Sequence, residues 1–215
     1  MQEQFGTDSI PWTGSEENIM PLGAHKAAMM GTAGVSTADI VLLSSQTASG
    51  DSELDFTGLM TSTYGEYIFR FYNINPATDG ADFKWQVNAT DGADYNDSQI
   101  TSTYFDAQHS EDDSVTALGY RADFDQANGT AFQWIDQGTG NGADESSVGE
   151  LHIFNPASTT YVKHFYSRAH HTRSDDRANS YFIGGYINDT TAIDDIRFKM
   201  SSGDFDGKIK MWGVK

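Results

Sequence analysis

The stretch ATDGADFKWQVNATDGADY, residues 77–95, decides how the chain is read. Between two copies of ATDGAD lies FKWQVN, in which Phe83, Trp85 and Val87 alternate with Lys84, Gln86 and Asn88. A period of two sends alternate side chains to opposite faces of a strand, so the aromatic face points to a core and the polar one away from it. The hexapeptide then marks the turn at each end of that strand. Asp and Gly suit tight turns, because Gly accepts positive φ and Asp hydrogen-bonds its own backbone. At about 3.3 Å per residue the two turns lie ~20 Å apart and cannot share an ion. Each copy has carboxylates for a cation of its own, Asp79 and Asp82 in the first, Asp91 and Asp94 in the second. Neither has the distal Glu of an EF-hand loop. The plain turn is the stronger reading, the metal loop the weaker alternative, and no cofactor is expected.

Alternation continues outward from this strand. From Ile40 onward come IVLLSS, ELDFTGL, YIFRFYNI, ITSTYF, ALGYRADF, AFQWID, ELHIF, YVKHFY, SYFIGGYI, IDDIRFKM and KIKMWGV. The pattern puts Tyr67, Phe69 and Phe71 on one face, Leu118, Tyr120, Ala122 and Phe124 on another, and Ile196, Phe198 and Met200 inward with Arg197 and Lys199 outward. The last two segments, joined by SSGDFDG, are expected to form a closing hairpin. Lys208 and Lys210 would guard its final strand as a sheet edge. The Gly- and Asp-rich run DQGTGNGADESSVGE belongs on the surface, and its portion 138–145, with almost no side chain for a core, is expected to be a mobile loop. Many short strands without a sustained helical period predict an all-β, jelly-roll-like two-sheet β-sandwich over residues 37–215.

Residues 1–36 differ. They hold Pro11, Pro21 and the Gly-broken LGAHKAAMMGTAG, and read as a mostly irregular N-terminal arm. Two readings stay open: a leader, or an arm that orders on a partner through anchors such as Phe5, Trp12, Met29 and Met30. Its first residues, MQEQFGTDSIPW, lack the basic and apolar regions of a signal peptide.

The chain of 215 residues carries a net charge of −18, a field that repels nucleic acid and anionic membrane and argues against both as partners. It has no Cys, which removes disulfides, zinc thiolates and thiol nucleophiles. No apolar run approaches the ~18 residues of a membrane span.

Histidines, paired carboxylates and exposed aromatics are the candidates for chemistry. In KHFYSRAHHTR, His164 and His170 share a strand face about 20 Å apart while His171 points to the other, which opposes a compact metal site. With Arg168, Arg173 and Arg177 this segment is a basic island, either a solvated hairpin or a subunit contact. Glu53 and Asp55 in ELDFTG resemble the carboxylate pair of sandwich glycosidases, but Gly58 stands where a third carboxylate is needed. Neither a nucleophile elbow nor a phosphate loop occurs. No catalytic residue is therefore assigned. Trp134, Tyr166 and Trp212 are candidate platforms for stacking a glycan.

Together, ELDFTGL, YIFRFYNINPATDGADFKWQVN, GELHIFNP and AIDDIRFKMSSGDFDGKIKMWGVK resemble virion structural proteins of tailed bacteriophages. These are jelly-roll modules of tail fibres, tail-associated ring proteins and capsid decoration proteins. The resemblance rests on Phe56–Gly58, Asn75–Thr78 and Ser201–Gly203, and runs from about residue 50 to the C-terminus. It implies a non-enzymatic virion component that self-associates or docks on other virion proteins, the arm being a candidate contact. Release by lysis would account for a particle protein with neither signal peptide nor Cys. The alternative is a carbohydrate-binding β-sandwich for adhesion to host-surface glycan.

Overall fold

The computed structural model describes residues 39–90, 92, 94, 95 and 98–215. The arm with Phe5, Trp12, Met29 and Met30, its expected boundary near residue 36, and Asp91 lie outside the described residues. In chain order the strands are β1 (Ile40–Asp51), β2 (Glu53–Phe56), β3 (Glu66–Pro76), β4 (Phe83–Ala89), β5 (Ile100–Ser110), β6 (Thr116–Tyr120) and β7 (Ala127–Gly129). They continue as β8 (Gln133–Trp134), β9 (Ser147–Phe154), β10 (Lys163–Arg173), β11 (Arg177–Ile187), β12 (Ile193–Met200) and β13 (Phe205–Val214). No helix occurs among the described residues.

The strands form two antiparallel sheets, one of nine strands ordered β1-β13-β3-β9-β10-β11-β5-β6 with β7 also on β5, and one of four ordered β2-β12-β4-β8. The expected all-β, jelly-roll-like sandwich is what forms. Its core is aromatic. The Phe198 ring of β12 lies 5.4–6.0 Å from those of Phe56, Phe69, Phe71 and Phe83, bringing both sheets onto one side chain. Tyr67, Phe69 and Phe71 of β3 and Phe83, Trp85 and Val87 of β4 all face inward, as alternation predicts.

Four strands cannot cover nine. Under β5, β10 and β11 the inner face is lidded instead by the segment 121–146. Arg121 holds buried Asp106 through Nε and Nη2, at 2.8 and 3.1 Å. Phe124 packs on Tyr104, and Gln137 offers its carbonyl to the Tyr181 hydroxyl. The inner face there is accordingly polar, with Ser102, Asp106, Gln108, His171 and Asn179 buried.

This asymmetry corrects several expectations. Gln86 points inward in effect: it is fully buried because its face of the small sheet is covered, and its amide donates to the carbonyls of Ser98, Thr130 and Ala131. Residues 138–145 are not wholly on the surface: Gly138–Gly140 are buried, while Asn141, Ala143 and Asp144 are exposed. Their lack of bulk lets the backbone tuck in, with Thr139 fully buried, Thr139 bridging Ala81 and Arg173, and Asn75 Nδ2 holding Glu145 O at 2.6 Å. ALGYRADF does not carry one buried face: β6 stops at Tyr120, Leu118 and Tyr120 are exposed, and only Phe124 packs inward.

The expected closing hairpin is absent as well, since β12 pairs with β2 and β4 while β13 pairs with β1 and β3. Residues 201–204 carry the chain across the sandwich. They are stitched to the first ATDGAD turn, Ser201 N to Asp82 O at 2.8 Å and Ala77 N to Asp204 O at 2.8 Å. β13 is therefore an interior strand, and Lys208 and Lys210 guard no edge. Among the described residues the edges of the large sheet are β1 on one side and β6 and β7, side by side along β5, on the other.

Candidate functional site

Three loops meet at one end of the sandwich and enclose a cleft of about 880 Å³. They are the β2–β3, β9–β10 and β11–β12 connections. Each is fixed by its own sequence. Buried Tyr67 reaches back to Thr61, its hydroxyl donating to the carbonyl (2.8 Å) and accepting from the amide (2.7 Å). Tyr64 then packs edge-on against Tyr67 and lies over Gly213, where a Cβ would stand 2.5 Å from the ring. In the second loop Asn155 takes a left-handed conformation, φ 46°, and its amide donates to Gly65 O at 2.7 Å, tying loop to loop. The hydroxyl of Ser158 accepts from the amides of Thr160 and Tyr161. Lys163, wholly buried, turns its ammonium to the carbonyls of Asp189 and Thr191 and so holds the third loop.

The cleft wall combines aromatic rings (Tyr64, Phe154, Tyr161) with small hydroxyl side chains and the His164 imidazole, and among the described residues no carboxylate, Lys or Arg lines it. Tyr161 is 74% exposed. Next to it on the outer sheet face, His152 stacks on Tyr166 at 4.3 Å and pairs with Glu66 at 2.5 Å.

A second polar constellation is closed. Thr139 Oγ1 lies 2.6 Å from His171 Nδ1, and Tyr181, oriented by Asn179, reaches His171 Nε2 at 3.2 Å. Burial, with His170 and Arg173 adding to it, pulls the His171 pKa down to about 3, so the ring is neutral. Nearby Asp136 is pushed up to about 6 by burial. A hydroxyl beside an imidazole suggests a nucleophile and base. Here both residues are fully buried, and the pair pins the 136–140 lid to the large sheet.

The third feature is the β6 edge. Leu118 is 77% and Tyr120 56% exposed, and Phe105 lies opposite Tyr120 in register and stacks on Phe182 at 5.4 Å. The strand itself, TALGY, bears no charge and no Pro.

The residues singled out in sequence are placed apart. Asp82 pairs with Lys84 and accepts from the Trp134 indole N–H (3.1 Å) and the Gly138 amide (3.2 Å), so it organises the lid. Gly80, at φ 70°, and the Gly92 amide bonded to Ala89 O make both ATDGAD copies turns at opposite ends of β4. Among the described residues no group of three or more His, Cys, Asp or Glu is placed for a metal. Trp134 and Trp212 lie in different sheets, the first under the Lys84 ammonium at 4.0 Å, the second under the Arg70 guanidinium at 5.4 Å. His164 and His170 face outward and His171 inward. In the basic island, Arg173 and Arg177 pair with Asp175, and Arg168 lies over Phe182.

Sequence reasoning missed Tyr64 and Tyr161. The available signal was an aromatic set within turn residues, as in NPASTTYV, rather than in an alternating strand. No family model matches the sequence, and no curated protein matches it.

Proposed function

We propose that this chain is a non-enzymatic structural component of a tailed-phage virion, joined to the particle by protein–protein contact. The observation that carries the reading is the uncharged, apolar β6 edge. A free strand edge is normally blunted by charge, Pro or a covering loop. Leu118, Tyr120 and Phe105 instead form one patch beside an edge that no other described strand pairs. The occupant that fits is a second copy of the chain, antiparallel to the first across β6. It would extend the nine-stranded sheet and bury one patch on the other as an isologous contact. The phage resemblance of residues 50–215 supports placing such an assembly in a tail or capsid. The arm, through Phe5, Trp12, Met29 and Met30, would add contacts to other virion proteins.

Sedimentation velocity of the full chain tests the contact. Oligomers are expected at micromolar concentration and monomers for Leu118→Glu, with far-UV circular dichroism unchanged. A chain that stays monomeric, or an oligomer indifferent to Leu118→Glu, contradicts it.

A further inference from the structure

We infer that the cleft between the β2–β3, β9–β10 and β11–β12 loops is a binding site for a neutral carbohydrate. The inference does not depend on the virion reading.

The cleft has the size of a small-molecule site, about 880 Å³ against a usual ~300–1,000 Å³. Its wall sets the chemistry of the occupant. An anionic or cationic ligand would be expected to meet an opposite charge, and among the described residues no Lys, Arg, Asp or Glu lines the cleft, whose basic group is the His164 imidazole alone. The net charge of −18 further disfavours acidic sugars. A purely apolar ligand would leave the hydroxyls of Ser62, Thr160 and Thr190 without partners once water is displaced. What satisfies both halves of the wall is a molecule with an apolar face and a rim of hydroxyls. A pyranose ring is such a molecule: its C–H face stacks on an aromatic ring and its hydroxyls exchange hydrogen bonds with Ser, Thr and Asn side chains.

The aromatic ring is already positioned. Tyr161 presents its side chain to solvent while its amide is held by Ser158 Oγ at 3.2 Å. Tyr64 is fixed between Tyr67 and Gly213 on the opposite loop. The Tyr64 ring is held in place before a ligand arrives, whereas Tyr161 has its backbone fixed and its ring free to turn onto the sugar. Trp134, Tyr166 and Trp212, the platforms expected from sequence, lie outside this cleft.

The test is an array of neutral and sialylated oligosaccharides probed with the full chain, then calorimetric titration of the best neutral oligosaccharide. Binding to neutral glycans is expected, weakened at least tenfold by Tyr161→Ala, largely kept by Tyr161→Trp, and unaffected by Trp212→Ala. Tyr161 is exposed, so Tyr161→Ala should fold normally, which its melting temperature checks. No neutral glycan bound, binding confined to sialylated glycans, or binding indifferent to Tyr161→Ala would each overturn the inference.

Discussion

Arg197 on β12 holds Asp55 on β2 by a two-pronged ion pair, Nε to Oδ1 at 2.7 Å and Nη2 to Oδ2 at 2.6 Å. The two residues are cross-strand partners in register, Glu53 adds a contact at 2.9 Å, and the guanidinium lies over the Tyr95 ring at 4.4 Å. ELDFTG therefore carries two carboxylates committed to an arginine on the outer face of the small sheet. Removing that arginine leaves both acids facing each other in an already acidic molecule. Arg197→Met should cost about 1–2 kcal/mol, less than a buried pair because the groups are partly solvated. A shift in the urea midpoint measures it; an unchanged midpoint would mean the pair contributes nothing net.

The buried Thr139–His171 contact predicts a pH dependence. His171 has its pKa lowered from 6.5 to about 3, so its stabilising contribution is present above pH 6.5 and is lost as pH falls toward 3. Asp136 is raised from 3.8 to about 6, the opposite sign: its contribution is present below pH 4 and lost as pH rises through 6. His171→Gln should be less stable than the parent at pH 7, and the gap should shrink by up to about 3 kcal/mol by pH 4. Asp136→Asn should move the other way, gaining on the parent as pH rises from 4 to 7. Urea unfolding at pH 7, 5.5 and 4 reads both. A gap constant with pH would contradict the buried neutral imidazole.

How far the sequence reaches depends on which neighbour decides a residue's fate. Alternation placed Phe83, Trp85, Phe198 and Met200 correctly, because strand period and burial agree wherever one sheet faces the other. It failed for Gln86, Leu118 and Thr139. Gln86 is covered by Ser98, Thr130 and Ala131 on its own face of the small sheet, Leu118 is left exposed beside β5, and Thr139 belongs to a lid on the large sheet; no local pattern encodes which faces are covered. SSGD looked like a hairpin turn because composition specifies a tight reversal but not which sheet the next strand joins. The cleft stayed hidden for a related reason. Tyr64 and Tyr161 are almost a hundred residues apart and are brought together by the β3–β9 pairing and the Asn155–Gly65 tie beyond it.

Glycine substitutions separate strain from collision. Gly50 and Gly203 both take left-handed conformations, at φ 69° and 72°. A Cβ on Gly50 meets nothing within 4 Å, whereas one on Gly203 stands 2.4 Å from Thr78 Oγ1. Gly50→Ala should cost about 1 kcal/mol and Gly203→Ala clearly more, roughly 2–3 kcal/mol, since Thr78 must also yield. Equal melting temperatures for the two variants would show that the crossover loop relaxes freely.

Chelator should leave the protein unchanged. The Asp82 oxygens take the Trp134 and Gly138 N–H groups and the Lys84 ammonium, donors that a bound cation would displace. A structural ion held at a thousandfold excess over its Kd would stabilise by about 4 kcal/mol. Losing it would lower the melting temperature by several degrees. A drop of that size on EDTA addition would restore the metal-loop alternative for Asp79, Asp82, Asp91 or Asp94.

The central proposal, a virion component assembled through the β6 edge, is tested most directly by cryo-electron microscopy of gradient-purified particles from any phage whose genome carries this sequence. The account predicts density that fits the nine- and four-stranded sandwich in repeated copies, with β6 paired and Leu118, Tyr120 and Phe105 covered by a second copy. A particle that lacks the chain, or one in which the β6 edge faces open solvent, would contradict it.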